Sequence, residues 1–200
     1  MRKQSRPPAP LPFEEKSDQW TKQWLNIRAQ NVSGFTWYTV GGKTARQWAL
    51  PALHVMNQGH CSFCDAFPLE DRSKTPVEHF RPKGHDRFAH LAFEWSNLYF
   101  SCEYCQSAKR ELWEEGLIAP DETDYAFHRY FKFDFTNGAI SPNPRASIAD
   151  QARAEMTIRL YALDSAIRRQ YRLLELQKYD GSTSPQIDDW AYRDFLESLD

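Results

Sequence analysis

Two Cys-x-x-Cys pairs, Cys61–Cys64 and Cys102–Cys105, constrain this chain more than any other feature; they are its 4 cysteines, and 37 residues separate the inner members. A Cys-x-x-Cys knuckle aims two thiolates at one point. Two knuckles complete a tetrahedron, the arrangement zinc prefers, with Zn–S near ~2.3 Å. Two disulfides compete with this reading, but they suit oxidising compartments. The basic start Met1-Arg-Lys-Gln-Ser-Arg lacks the apolar stretch of a secretory leader, so a cytoplasmic protein is expected. A redox pair or an iron–sulfur site also competes; the redox pair normally needs one knuckle in a βαβ setting. The favoured reading is a closed structural Zn²⁺ with all four positions filled by protein, contributing on the order of 10 kcal/mol to folding.

Composition bounds the rest. Aromatic residues make up 14% of the 200 residues, with 7 Trp, which excludes disorder for most of the chain. No apolar run reaches the ~18 residues of a membrane span, so no membrane association is expected. The formal charge of −2 excludes a uniformly basic coat. It averages unlike regions: residues 72–110 sum to +3, while residues 175–200 sum to −5. The centre could meet a phosphate backbone that the tail would repel. No Gly-x-x-x-x-Gly-Lys-Ser/Thr loop occurs, so ATP chemistry would have to come from another protein.

Along the chain, the proline-rich residues 1–16 read as an extended arm. Ser17 is expected to cap a helix to about Gln30, with Trp20, Trp24 and Ile27 on one face. Residues 31–43 read as loop. Thr44 is expected to cap a helix to about Gln58, kinked or split at Pro51 and ended by Gly59. Residues 75–83 and 95–101 read as short extended pieces. Phe131-Lys-Phe-Asp-Phe followed by Asn137-Gly138 signals a hairpin. Helices are expected from about Ile148, from an Asp164 cap to Tyr179, and over 186–199 after a linker at 181–185. The last, carrying Trp190 and Phe195, is expected to dock on a protein, to cover this chain's own core or to stand as a solvated helix. The organisation expected is 1–58 as N-terminal arm and helices, 59–115 as the cysteine-bracketed core, and 116–200 as hairpin and C-terminal helical region.

Chemistry concentrates between the knuckles, in Val77-Glu78-His79-Phe80-Arg81-Pro82-Lys83, Asn97, and Gln106-Ser107-Ala108-Lys109. An acidic residue beside a His suits a divalent metal next to a general base: the carboxylate holds the metal and the imidazole deprotonates a water. Strand alternation sends Glu78 and His79 to opposite faces, so a shared pocket at the strand end is required. Asn97 could orient the His or its loop, and a polar residue just past Cys105 would be placed by the metal cluster. Blander roles compete: Glu78 pairing with Arg81, Asn97 as a turn residue, and the Trp residues as core. His85 and His90 read as loop residues; His54, His60 and His128 read as structural or exposed.

The ordered set Cys-x-x-Cys, acidic-His-x-x-Pro, Asn-Leu, Cys-x-x-Cys and polar-x-x-Lys resembles the ββα-metal, or HNH, nuclease family. Val77–Lys83, Phe93–Cys105, the Phe hairpin and Ala154-Glu-Met-Thr-Ile-Arg-Leu-Tyr-Ala-Leu resemble its PtuB-like branch, from Septu-type and retron-linked anti-phage systems. The resemblance implies an α+β fold, a zinc-stapled ββα-metal core embedded in mainly helical N- and C-terminal segments. It implies His79 as general base, Glu78 as acidic metal ligand and Asn97 as the residue positioning the His or its loop. Gln106 falls where the family usually has Asn or His as second metal ligand, a departure of one methylene in stem length. Lys109 matches a phosphate-contacting Lys, and Arg81, Lys83 and Arg110 are further candidates for phosphate. The implied cofactors are structural Zn²⁺ and catalytic Mg²⁺ or Mn²⁺ at Glu78 and Gln106. The implied partners are nucleic acid, DNA with RNA as the alternative, and an ATPase subunit of PtuA type. The rival expectation is a zinc-stapled binding module whose HNH site has decayed at Gln106.

Overall fold

The structure is a computed structural model and describes residues 1–30, 34–69, 76–182 and 186–198. The loop reading at 31–33, the basic residues Arg72 and Lys74, most of the 181–185 linker and Leu199 lie outside the described residues.

Helix α1 spans Leu11–Ala29 and begins before the expected Ser17 cap, with a proline in its first turn. A first-turn proline removes an N–H that has no intrahelical partner anyway, so Pro12 starts the helix where the sequence reading took it for an arm. Phe13, Trp20 and Trp24 are its buried face. Part of the expected 31–43 loop is a small hairpin, β1 (Thr39–Val40) and β2 (Lys43–Thr44). Gly41 and Gly42 turn it at φ 58° and 76°, the left-handed pair a two-residue hairpin loop requires.

Helix α2 (Ala45–Asn57) has the expected Thr44 cap: the Thr44 hydroxyl accepts from the Gln47 N–H, and the Gln47 side chain accepts from the Thr44 N–H. It contains Pro51 yet runs as one element. Its buried face, Ala45, Ala49, Leu53 and Met56, packs on strand β4 (Leu98–Phe100) and supports the turn that the proline weakens.

Strand β3 (Val77–His79) pairs antiparallel with β4 in the register Val77↔Phe100, Glu78↔Tyr99, His79↔Leu98. Residues 95–97, expected to be extended, form a 3-10 turn before β4. Two residues after β4 comes helix α3 (Glu103–Lys109), N-capped by Cys102. This ribbon-then-helix unit carries the second knuckle together with Glu78, His79, Gln106 and Lys109.

The short helix α4 (Phe127–Tyr130) leads into the expected hairpin of β5 (Phe131–Asp134) and β6 (Ala139–Pro142). Its turn needs Gly138: φ is 71°, and a Cβ would meet the Arg169 carbonyl oxygen at 2.5 Å. Helix α5 (Ile148–Leu160) is capped by Ser147. Helix α6 (Ala166–Asp180) has Ser165 at its N-cap rather than Asp164, whose carboxylate accepts from the Ile140 N–H and pairs with Arg169. The single C-terminal helix expected over 186–199 is two pieces, a 3-10 turn at Ile187–Asp189 and α7 (Arg193–Glu197). Tyr192, at φ 60°, breaks them apart, and Phe195 and Leu196 are buried. The segment covers this chain's own core. One hydrophobic cluster runs from Met1 to Leu196 and includes all four cysteines.

Candidate metal centre and adjoining cleft

The cysteine sulfurs lie within 4.8 Å of one another, and all four residues are buried. Four thiolates at tetrahedral angles around zinc sit about 3.8 Å apart, since the edge is about 1.63 times a ~2.3 Å bond. The Cys61–Cys105 and Cys64–Cys102 sulfurs are 3.8 and 3.7 Å apart. They are free thiols rather than disulfides. The donor set therefore fits a structural metal such as zinc.

Backbone geometry holds the sulfurs. The Cys102 N–H donates to Cys61 Sγ and the Cys105 N–H to Cys102 Sγ, both at 3.4 Å. In the first knuckle Asp65, at φ 60°, lets the chain turn back, and the Cys61 N–H donates to the Ala66 carbonyl. The Ser62 N–H donates to the Phe100 carbonyl at 2.8 Å, fastening this knuckle to β4. Burial and hydrogen bonding among the sulfurs divide the four thiols: Cys61 and Cys64 are held below their usual value, and Cys102 and Cys105 are pushed above it.

Glu78 and His79 sit at the end of β3, and both line one cleft of ≈ 170 Å³ with Lys83, Gln106, Arg110 and Glu111. The required shared pocket is present. His79 is 5% exposed. Its Nε2 is 2.9 Å from the Ala92 carbonyl oxygen. A carbonyl only accepts, so Nε2 carries the proton and Nδ1 carries the lone pair in the neutral ring. Burial, then the charge of Lys83, holds the ring well below the ordinary histidine range, so it is neutral at neutral pH. Trp37 stacks on the imidazole at 5.4 Å, and Phe35 meets it edge-on at 5.3 Å.

Glu78 does not pair with Arg81. Its Oε1 accepts from Lys109 Nζ at 2.7 Å, and the same ammonium donates to the His79 carbonyl at 3.0 Å. Lys109 is fully buried. Burial raises the Glu78 carboxyl above its ordinary value, and the Lys109 charge pulls it back. The Gln106 side-chain amide donates to the Ser101 carbonyl at 2.9 Å, beside the cleft. Asn97 is bonded to the loop rather than to the imidazole: its amide accepts from the Arg81 N–H at 2.7 Å and donates to the Arg81 and Leu91 carbonyls at 2.9 and 3.0 Å.

The four basic candidates separate. Lys83 and Arg110 border the cleft. Arg81 is exposed, lies 5.9 Å from the Trp113 ring and faces a different cavity of ≈ 500 Å³. Lys109 is internal. His60, expected to be structural or exposed, is fully buried and hydrogen-bonded to the Trp190 carbonyl at 3.0 Å.

Sequence reasoning missed three contributors. Phe35 and Trp37 come from a stretch read as loop. Arg168, 63 positions after Cys105, donates from Nη2 to its sulfur at 3.1 Å. A buried arginine on a helix face that reads as polar carries no local signal of such a partner.

Fold and cluster together define an α+β protein organised around four cysteines able to hold a metal. No family model matches the chain. Over 79 residues it is 33% identical to the Septu protein PtuB of Bacillus thuringiensis, a stretch covering 36% of this chain. The match spans about 30% of that relative's length. Among the described residues, no helix is long and apolar enough to cross a membrane.

Proposed function

We propose that this chain is a metal-dependent HNH endonuclease, with its core at 59–115, that cleaves nucleic-acid phosphodiester bonds, DNA foremost, in an anti-phage defence complex in the cytoplasm. The observation that carries the reading is the meeting of Glu78, His79 and Gln106 in one cleft bordered by Lys83 and Arg110. The likeness to a Septu protein supports the defence role, and the resemblance to the PtuB-like branch suggests an ATPase of PtuA type as partner.

Glu78 and the amide oxygen of Gln106 would hold a Mg²⁺ or Mn²⁺ ion, with Lys109 keeping one Glu78 oxygen. When bound, that ion supplies charge stabilisation at the phosphate and the leaving oxygen. His79 takes a proton from the attacking water at Nδ1, while its Nε2–H bond to Ala92 fixes the ring. Asn97 holds the 81–91 loop behind the imidazole. Lys83 and Arg110 orient the backbone phosphates.

A second reading, a binding module with a decayed site, is favoured by the amide hydrogen bond of Gln106 and by the Lys109 grip on Glu78. The two separate in metal-dependent digests of plasmid, single-stranded DNA and tRNA, with and without the ATPase. The nuclease reading expects wild type to cut and His79→Ala to lose about 10²–10⁴-fold in rate. Intact substrates with both proteins would leave the binding module.

A further inference from the structure

Arg168 lies in the first turn of α6 and is 4% exposed. Its guanidinium carbon sits 4.7 Å from the Tyr104 ring centroid, and its Nη2 donates to Cys105 Sγ. A buried guanidinium is costly unless an anion compensates it. Its hydrogen-bond partner, Cys105 Sγ at 3.1 Å, is one of four sulfurs that lie within 4.8 Å of one another. Neutral thiols or two disulfides would leave Arg168 uncompensated. Four thiolates around a divalent ion carry a net charge of −2, and one guanidinium halves it.

We propose that Arg168 is the charge-compensating partner of a metal-bound tetrathiolate, and that through it the metal fastens α6 to α3. A pocket of ≈ 330 Å³, lined by Cys102, Tyr104, Ile167, Arg168 and Tyr171, borders this contact. Removing the guanidinium widens the route by which water and competing ligands reach the sulfurs. The assignment concerns the metal centre and is independent of what the neighbouring cleft does.

The test uses the full zinc-loaded chain as wild type, Arg168→Met, Arg168→Lys and Arg193→Met. The last breaks a different buried pair, Arg193 with Asp65 at 2.7 Å, without touching a sulfur. Zinc release to a chelating dye is timed, and the thiolate-to-cobalt charge-transfer band is recorded after Co²⁺ replacement. Arg168→Met is expected to release zinc about 10- to 100-fold faster and to move the band to lower energy. Arg168→Lys keeps the charge and is expected to fall between, which preserves the test if the methionine variant does not fold. Arg193→Met is expected to lose stability with its band unmoved. Wild-type release rates and bands in both Arg168 variants, an equal band shift in Arg193→Met, or a wild type that binds no metal would each overturn the proposal.

Discussion

Cys105 and Gln106 are neighbours in α3, yet one side chain is sealed among sulfurs and the other borders an open cleft. Around the sulfurs, groups distant in sequence converge: Arg168 on Cys105, Arg193 on Asp65, and the Trp190 carbonyl on His60. Around the cleft, the hydrogen bonds come from within residues 78–111, as in Lys109 on Glu78, Ala92 on His79 and Asn97 on Arg81, and from outside that stretch come the ring contacts of Phe35 and Trp37 on His79. The difference teaches that the cluster ties the flanking segments together, whereas the cleft is a local assembly resting on that tie. Damage to the cluster should therefore spread, and damage to the cleft should stay confined.

The largest effect tests the spreading. Stripping the metal, or Cys105→Ser, is expected to remove stabilisation on the order of 10 kcal/mol. Amide exchange should then accelerate in α6 and α7 as well as in the ribbon. Acceleration restricted to residues 61–105 would contradict the comparison. Next comes Lys109→Met, which strands a buried carboxylate and is expected to cost about 3–5 kcal/mol in urea unfolding. Adding Glu78→Gln, or millimolar Mn²⁺, should recover much of that loss, because either one removes or balances the stranded charge. Failure of both to recover it would place the role of Lys109 elsewhere. Asn97→Ala, which frees the Arg81 and Leu91 backbone groups, is expected to cost about 1–3 kcal/mol, with zinc content unchanged.

The smallest effect is acid sensitivity. The folded state holds His79 below its ordinary value, so below about pH 6.5 the unfolded chain binds a proton that the folded chain refuses, and stability falls. The raised Glu78 value acts in the opposite sense, since the folded chain takes that proton first as the pH drops. With zinc loaded, wild type should therefore lose more stability than His79→Gln between about pH 7 and pH 5.5. Equal losses would mean that His79 titrates freely.

Much of this was legible in residues that act locally. The knuckle spacing announced the cluster, Thr44 announced its helix, and Asn137-Gly138 announced its hairpin. Glu78, His79 and Gln106 were readable as one cleft because the chain order strand, strand, knuckle, helix leaves little freedom. What failed depended on distance or on competing propensities. Pro12 looked like a breaker but sits where a helix tolerates it. Tyr192 gave no hint of a left-handed backbone, which its N–H bond to the Asp65 carbonyl helps to hold. The pairing of Glu78 with Arg81, weighed as a blander role, is not formed, because three residues of separation on an extended chain point two side chains apart, whereas Lys109 arrives from α3.

The 63 positions between Cys105 and Arg168 also set an order in time. At about 5–20 residues per second, a ribosome needs roughly 3–13 s to add them. Throughout that interval the nascent chain owns all four sulfurs but not the guanidinium that halves their charge. A growing polypeptide would thus hold its metal more loosely than the finished one, and the arrival of α6 would act as the latch.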